Sequence, residues 1–182
     1  MPAKSSEQPI VCIVGPGYVG LPLATEFSRH FKVIGFDTNI KMVNELNLGN
    51  NNQNLTITHS PQQIKQADFL IITVPTPVTR SKEPDLSHIE SASKIVSQNM
   101  KAGGTVILEL TVYPGVTEEV VKPMLEESGL KCGQDFKTAY SPERINPGDE
   151  EHTIDKVTKV VSGMDEGITE LVAELYSKIT LT

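Results

Sequence analysis

Cysteine is scarce in this sequence, and the few potential metal ligands are scattered along it. The 182 residues include two cysteines, Cys12 and Cys132, which do not form a CxxC pair, and four histidines without metal-ligand spacing. A disulfide framework needs more cysteines than this, so the composition fits a reducing compartment. We therefore expect no metal site, and we expect the protein to be cytoplasmic.

Long apolar runs and clusters of basic residues are also missing. No apolar run is longer than about six residues, whereas a membrane-spanning helix needs about 20. The polar start MPAKSSEQP lacks the apolar core of a signal peptide. The net charge is −7, and a chain of this charge repels a phosphate-rich polymer. We expect neither a membrane nor a nucleic acid as a partner.

Strand patterns and helical patterns alternate along the chain. The run from Ile10 to Val14 is continuously apolar, as in a buried parallel strand, and Val19, Leu23 and Phe27 then recur on one helical face. The alternation repeats about seven times and predicts one doubly wound α/β domain with a mostly parallel sheet, spanning residues 1–182. Predicted strands are Ile10–Val14, Lys32–Phe36, Leu55–Thr58, Phe69–Val74, Thr105–Leu110, Phe136–Tyr140 and Val157–Ser162. Predicted helices are Val19–His30, Ile40–Leu48, one opening at Ser60-Pro61, one opening with a capping box at Ser87–Glu90, Gly115–Glu127 and Ile168–Lys178.

Three glycines follow the first strand, in the stretch VGPGYVG. Gly15 permits a tight turn, Gly17 lets the backbone approach a pyrophosphate, and Gly20 allows close packing of helix and strand. The start of the helix adds unpaired N–H groups and about half a positive charge. Asp37 ends the second strand, 17 residues after Gly20, where it can bind ribose hydroxyls and repel a 2′-phosphate. The pattern predicts an NAD site, although a structural turn followed by a capping aspartate is an alternative.

Proline-containing loops follow three later strands. They read VPTP at 74–77, ELTVYPG at 109–115 and SPERINPG at 141–148. Ligands of doubly wound sheets lie outside the carboxyl ends of the strands. We therefore expect Thr76, Thr111 and Glu143 to converge on the nicotinamide end of the cofactor, unless the prolines only stop the strands.

These stretches together resemble the UDP-glucose/GDP-mannose dehydrogenase family. The similarity runs through VGPGYVGLPLA, GFDTN, VPTP with PDLSHIE, TVYPGVTEE and SPERINPGD. TVYPG and SPERINPGD look most like the branch that oxidises UDP-N-acetylhexosamines. The resemblance implies a Rossmann-like fold and an NAD-dependent UDP-N-acetylhexosamine 6-dehydrogenase. Such an enzyme takes the C6 alcohol to a carboxylate in two hydride transfers, and as a full-length protein it is expected to form a homo-oligomer.

The resemblance also implies roles for residues at matching positions. Thr111 would hydrogen-bond a catalytic water or the reacting oxygen, and Glu143 would act in acid–base or water handling. Glu143 would also contact the UDP-sugar, together with Arg144, Ile145 and Asn146. The cofactor-binding residues would be Gly15, Gly17, Tyr18, Val19, Gly20, Asp37, Val74, Thr76 and Pro77.

The sequence departs from the family in ways that limit these expectations. A central helix with a catalytic lysine, and a second domain with a nucleophilic cysteine, have no counterpart here, and neither Cys12 nor Cys132 has that context. We expect the chain to be the NAD-binding domain, inactive alone, with the UDP-sugar site shared with the absent domain. Leu110 stands where the family usually has a serine, and Met42 stands where it commonly has a basic residue. Pro147 stands where the glucose-specific branch has a second glutamate. A stand-alone nucleotide-binding regulatory module and the NAD-binding domain of a hydroxyacid dehydrogenase remain alternatives.

Overall fold

The chain folds around a seven-stranded sheet with helices on both faces. The computed structural model describes residues 8–79, 82–143 and 158–180. The strands are β1 (Ile10–Val14), β2 (Lys32–Phe36), β3 (Leu55–Thr58), β4 (Phe69–Ile72), β5 (Thr105–Glu109), β6 (Lys137–Ser141) and β7 (Ser162–Gly163). Their order is β3-β2-β1-β4-β5-β6-β7, with every pair parallel except β6 and β7. The predicted Rossmann-like, mostly parallel sheet is confirmed.

The sheet order reverses between β1 and β4. After β1 the chain moves outward through β2 and β3, and it then returns to pair β4 with the other side of β1. Helices that follow β1 and β4 therefore leave on opposite faces, which opens a crevice at the carboxyl ends of these two strands. This position is where a doubly wound sheet binds its ligand.

Two hydrophobic clusters form the core, one on each face of the sheet. Side chains alternate along a strand, so Val11 and Ile13 of β1 enter one cluster while Cys12 and Val14 enter the other. The helices are α1 (Gly20–Phe27), α2 (Ile40–Leu48), α3 (Ser87–Asn99), α4 (Lys122–Glu126) and α5 (Glu166–Tyr176). Helices α1 and α5 pack on the first cluster, and α3 and α4 on the second.

The outer edge of β3 contacts asparagine side chains. Asn47, on α2, donates from Nδ2 to the carbonyl of Ile57 at 3.0 Å. Asn50, just after α2, donates from Nδ2 to the carbonyl of Leu55 at 2.7 Å. These two bonds tie the end of α2 to the strand that follows it.

The predicted continuous helix over Gly115–Glu127 is wrong in detail. A π-helical segment, Thr117–Val121, precedes α4. Pro123 lies at the second position of α4, and because proline has no N–H it removes a bond that a regular helix would make to an earlier turn. The π-helical segment accommodates the missing hydrogen bond, and the chain continues directly into α4.

Three further element predictions need correction. The segment after Ser60 is a six-residue 3-10 helix, Pro61–Gln66, instead of an α-helix. Val157, the first residue of the predicted strand Val157–Ser162, lies outside the described residues, and the strand found at the end of that range is β7, in which Ser162–Gly163 pairs antiparallel with β6. No capping box opens α3, because its N-cap is Leu86, whose carbonyl accepts the Glu90 N–H at 2.9 Å, while the Ser87 N–H donates to Asp85 Oδ1 at 3.0 Å. Hydrogen bonds from Ser87 lower the pKa of the Asp85 carboxyl.

Candidate functional site

A cleft of about 750 Å³ lies at the carboxyl ends of β1, β4 and β5. Nine of the fourteen predicted site residues line this cleft. The lining residues comprise the glycine turn, the end of β2, one face of α3 and the loops after β4, β5 and β6: Val14, Gly15, Gly17, Tyr18, Val19, Phe36, Asp37, Thr38, Asn39, Met42, Thr73, Val74, Pro75, Thr76, His88, Ser91, Ala92, Ile95, Glu109, Leu110, Thr111 and Glu143.

The turn after β1 is held tightly from inside. Gly15 has a φ of +91°, in the left-handed region, and a side chain there would meet Val74 Cγ1 at 3.0 Å. The Gly15 carbonyl accepts bonds from the Gly17 N–H at 2.7 Å and from Thr73 Oγ1 at 2.8 Å. Thr73 is thus a second anchor of the turn, which sequence reasoning missed because the residue reads as the end of a buried strand.

The other two glycines of the motif face different surroundings. Among the described residues, a Cβ on Gly17 would contact only the Gly15 carbonyl oxygen, at 4.0 Å, so the described part of the cleft is open above Gly17. A Cβ on Gly20 would lie well under 3.0 Å from the Gly15 oxygen and from Thr73 Oγ1. Gly20 therefore packs behind the turn and does not line the cleft, whereas Gly17 leaves room for a ligand group at the start of α1. This geometry fits a pyrophosphate.

Asp37 lies at one end of the cleft, directly after β2. Its backbone N–H donates to the Thr58 carbonyl at 3.1 Å, and its Oδ1 accepts the Asn39 N–H at 2.8 Å. The Asn39 side chain in turn caps α2 by accepting the Met42 N–H. No lysine or arginine lines the cleft within residues 8–79, 82–143 and 158–180. A 2′-phosphate would therefore meet a carboxylate here with no described cation to neutralise it.

The loops after β4 and β5 are joined at the opposite end of the cleft. Thr76 Oγ1 donates to the Thr111 carbonyl at 3.1 Å, and the Tyr140 hydroxyl donates to the Leu110 carbonyl at the same distance. Both loops are thus fixed against the sheet. Pro77 lies outside the lining, where its carbonyl accepts the Asp85 N–H at 2.8 Å.

Behind Thr111 lies a buried charged cluster that the sequence analysis missed. Glu109, at the end of β5, is 1% exposed and accepts a hydrogen bond from the Tyr176 hydroxyl of α5. The ammonium of Lys159 forms ion pairs with Glu109 and, at 3.8 Å, with Glu143. Burial raises the pKa of the Glu109 carboxyl, while Lys159 opposes that rise. A glutamate inside the apolar run TVILEL was the available signal for this cluster.

One face of α3 also lines the cleft, which the sequence analysis did not predict. Ala92 and Ile95 contribute apolar surface, and His88 and Ser91 contribute polar groups one turn apart. Helical periodicity identifies the buried face of a helix, but it does not separate side chains that face the sheet from those at the rim of a crevice. Arg144, Ile145 and Asn146, predicted to contact substrate, lie outside the described residues.

The described residues contain neither a membrane-spanning helix nor a cluster of metal ligands. No helix within them is both long and apolar enough to cross a membrane. No three histidine, cysteine, aspartate or glutamate side chains in the described ranges are grouped so as to hold a metal ion.

A family model, sequence relatives and solved structures show which family this chain belongs to. The family model for the NAD binding domain of the UDP-glucose/GDP-mannose dehydrogenase family matches residues 10–180. Protein CapL of Staphylococcus aureus is 45% identical, and UDP-N-acetyl-D-glucosamine 6-dehydrogenase of Pseudomonas aeruginosa is 44% identical; each match covers 93% of this chain and 43% of the relative. The structure of UDP-D-ManNAc dehydrogenase from Pyrococcus horikoshii superimposes with a TM-score of 0.84 at 29% identity, over 94% of this chain and 45% of that one. The chain thus spans less than half the length of these relatives.

Proposed function

Because this chain belongs to the UDP-glucose/GDP-mannose dehydrogenase family and matches its NAD binding domain, we propose that it holds NAD for the oxidation of a UDP-N-acetylhexosamine to its uronic acid. The observation that carries the proposal is the single cleft lined by the glycine turn, Asp37, Thr111 and Glu143. The named dehydrogenases among its relatives support the choice of substrate class.

The glycine turn is proposed to bind the pyrophosphate of the cofactor. The first N–H groups of a helix have no partners within the helix, and together with the helix dipole they attract an anion. The open space above Gly17 lets a phosphate approach the start of α1. Thr73 and Gly20 act indirectly, by keeping the turn closed behind that phosphate.

Asp37 is proposed to bind the ribose hydroxyls of the adenosine half. A carboxylate can accept two hydroxyl donors, and its charge disfavours the extra phosphate of NADP. Met42, which lines the same end of the cleft, offers no positive charge in compensation. Selectivity for NAD over NADP follows from this arrangement.

Thr111 and Glu143 are proposed to act at the reacting end. A bound NAD would supply the hydride acceptor for the oxidation at the sugar C6. The alcohol must also lose its hydroxyl proton, and the Glu143 carboxylate can accept it directly or through a water that Thr111 orients. Thr76 fixes the loop that carries Thr111 through its bond to the Thr111 carbonyl.

The remaining parts of the proposal concern the whole protein. We propose that the UDP-sugar is shared with a second domain, which supplies the lysine and nucleophilic cysteine, and that Arg144, Ile145 and Asn146 contact the sugar nucleotide. The cytoplasm is the proposed compartment, since both Cys12 and Cys132 are free thiols. A homo-oligomer is the proposed assembly of the full-length enzyme.

Calorimetric titration of the 182-residue chain with NAD⁺ and NADP⁺ tests the proposed function. NAD⁺ should bind more tightly, and Asp37→Ala should weaken NAD⁺ binding by about tenfold or more, the cost of losing hydrogen bonds to a charged group. Asp135→Ala, a change to an aspartate outside the cleft, is the control and should leave both affinities unchanged. Equal affinity for the two cofactors, or an unaltered preference in Asp37→Ala, would contradict the role of Asp37. Sustained NADH production by this chain with a UDP-N-acetylhexosamine would contradict its dependence on a second domain.

A further inference from the structure

The ammonium of Lys159 is buried between three separate elements of the fold. The Lys159 side chain is 2% exposed. It reaches Glu109 at the end of β5 and Glu143 after β6, and its Nζ lies 3.5 Å from the Pro142 carbonyl. The ring of Tyr176 on α5 lies 5.8 Å from the same nitrogen. One cation therefore joins the two strand ends that border the reacting side of the cleft.

Glu109 and Tyr176 fix the position of the Lys159 ammonium. The Glu109 side chain has no exposed surface, and Tyr176 donates its hydroxyl to Glu109 Oε2 while Lys159 contacts Oε1. Burial and the neighbouring Glu109 raise the pKa of the Tyr176 hydroxyl, so it remains a donor. Each carboxylate oxygen of Glu109 therefore has a partner, and these two contacts fix the position of the carboxylate.

Both partners of Lys159 line the cleft, and Glu143 is the more exposed of the two. Its side chain is 10% exposed, compared with none for Glu109, and it lines the cleft beside Thr111. A buried ammonium must be paired, because an isolated charge in the interior is strongly unfavourable. Lys159 is held by Glu109 and lies 3.5 Å from the carbonyl of Pro142, the residue before Glu143, so its charge attracts the Glu143 carboxylate toward a fixed point.

We propose that Lys159 is a positioning residue for Glu143. Its ion pair with Glu109 fixes the ammonium, and the ammonium holds the Glu143 carboxylate at the reacting end of the cleft. The consequence for the reaction rests on the proposed function, since it matters only if NAD and a sugar alcohol bind there. The placement of Glu143 in the ligand-free chain does not depend on that.

The first experiment examines the ligand-free chain. Carboxyl carbons of labelled glutamate are followed by NMR, and the Glu143 signal is identified by its loss in Glu143→Gln. Lys159→Met should shift or broaden this signal more than any glutamate outside the cluster, and Lys159→Arg should restore it. Lys101→Met is the control, because Lys101 pairs with Asp68 at 2.7 Å and neither residue lines the cleft. An unmoved Glu143 signal in Lys159→Met would overturn the proposal.

Lys159→Met leaves Glu109 buried without its cation, and this variant can fail to fold. The same comparison is then made between Glu109→Gln and the double variant Glu109→Gln/Lys159→Met, in which no charged carboxylate remains at position 109. The Glu143 signal should be shifted or broadened in the double variant relative to Glu109→Gln, as we expect for Lys159→Met relative to the wild type. Identical Glu143 signals in the two chains would overturn the proposal equally.

The second experiment separates positioning from support of the fold. The nicotinamide ring loses its positive charge on reduction, so the ratio of Kd for NADH to Kd for NAD⁺ responds to where a nearby carboxylate lies. Lys159→Met should change this ratio by about fivefold, the upper size of a partly exposed ion-pair effect. The change should vanish in a Glu143→Gln background, where no carboxylate remains to be positioned.

The outcomes distinguish the two proposals. A lysine that only stabilises the fold would lower the melting temperature in both backgrounds and leave the ratio unchanged, which would overturn positioning. A ratio change of equal size with and without Glu143 would overturn it too. If the wild-type chain binds neither NAD⁺ nor NADH, the proposed function fails, and the NMR comparison alone decides whether Lys159 positions Glu143.

Discussion

Replacement of Gly17 by alanine should separate cofactor binding from folding. In the part of the chain that the structure describes, the added Cβ would meet only the Gly15 carbonyl oxygen, at 4.0 Å, an ordinary van der Waals distance. The Gly17 N–H would remain free to donate to that carbonyl. Alanine also restricts the unfolded chain, which stabilises by about 0.4–1 kcal/mol where the backbone conformation is compatible. We therefore expect no loss of stability.

Binding of NAD⁺ should nevertheless fall, since the methyl group would occupy the space that a phosphate needs above Gly17. A phosphate pushed away from the start of α1 loses at least one charge-assisted hydrogen bond. Such a bond contributes about 1.5–3 kcal/mol, so Kd should rise by about 10- to 150-fold. Calorimetric titration measures this change, and thermal unfolding of the same sample measures stability.

Gly49→Ala provides the matched control for this substitution. Gly49 has a φ of −100°, and a Cβ there would meet no atom of the described residues within 4 Å. The variant makes the same chemical change away from the cleft and should bind NAD⁺ as the wild type does. Undiminished NAD⁺ binding in Gly17→Ala would refute the placement of the phosphate, and an unfolded Gly17→Ala chain would refute the open geometry around that residue.

Three more substitutions or reactions probe the turn and the core. Gly20→Ala should destabilise the chain by about 2–4 kcal/mol in denaturant unfolding, since its Cβ would collide with a backbone carbonyl and with the hydroxyl that binds it; a neutral effect would mean that the turn can open. Thr73→Val should cost about 1 kcal/mol by the same measurement, because it removes one buried donor to the Gly15 carbonyl, and an unchanged midpoint would count against that anchor. Burial raises the pKa of the Cys12 thiol to about 12, so the thiolate forms readily only in the unfolded chain. At pH 8 a thiol reagent should therefore label Cys132 in the native protein and Cys12 only after unfolding, as mapped by mass spectrometry; rapid native labelling of Cys12 would contradict its burial.

The parts of the fold that local patterns specify could be predicted from the sequence. The bounds of β1, β2 and β3 follow from apolar runs that end in turn residues, and α2 follows from its apolar spacing. The glycine turn was recognisable because the backbone itself, with φ of +91° at Gly15, requires that residue type. Its position after a strand and before a helix is also a local property.

The parts that were missed depend on tertiary contacts. Glu109, Lys159 and Tyr176 are separated by 50 and 17 positions in the chain, and no periodicity links them. Their pairing arises because β5, the segment before β7 and the end of α5 meet behind the cleft. The π-helical segment before Pro123 was similarly missed because apolar spacing reports the buried face of a helix and not the hydrogen-bond pattern of its backbone.

The asparagine bonds along β3 have a consequence for the behaviour of the protein at high concentration. An edge strand of a sheet exposes a row of backbone groups to which a strand of another molecule can add. On β3 the outward carbonyls of Leu55 and Ile57 already accept side-chain amides from Asn50 and Asn47. A strand from a second molecule would have to displace both amides before it could pair, so this edge is protected against strand addition and the aggregation that follows from it.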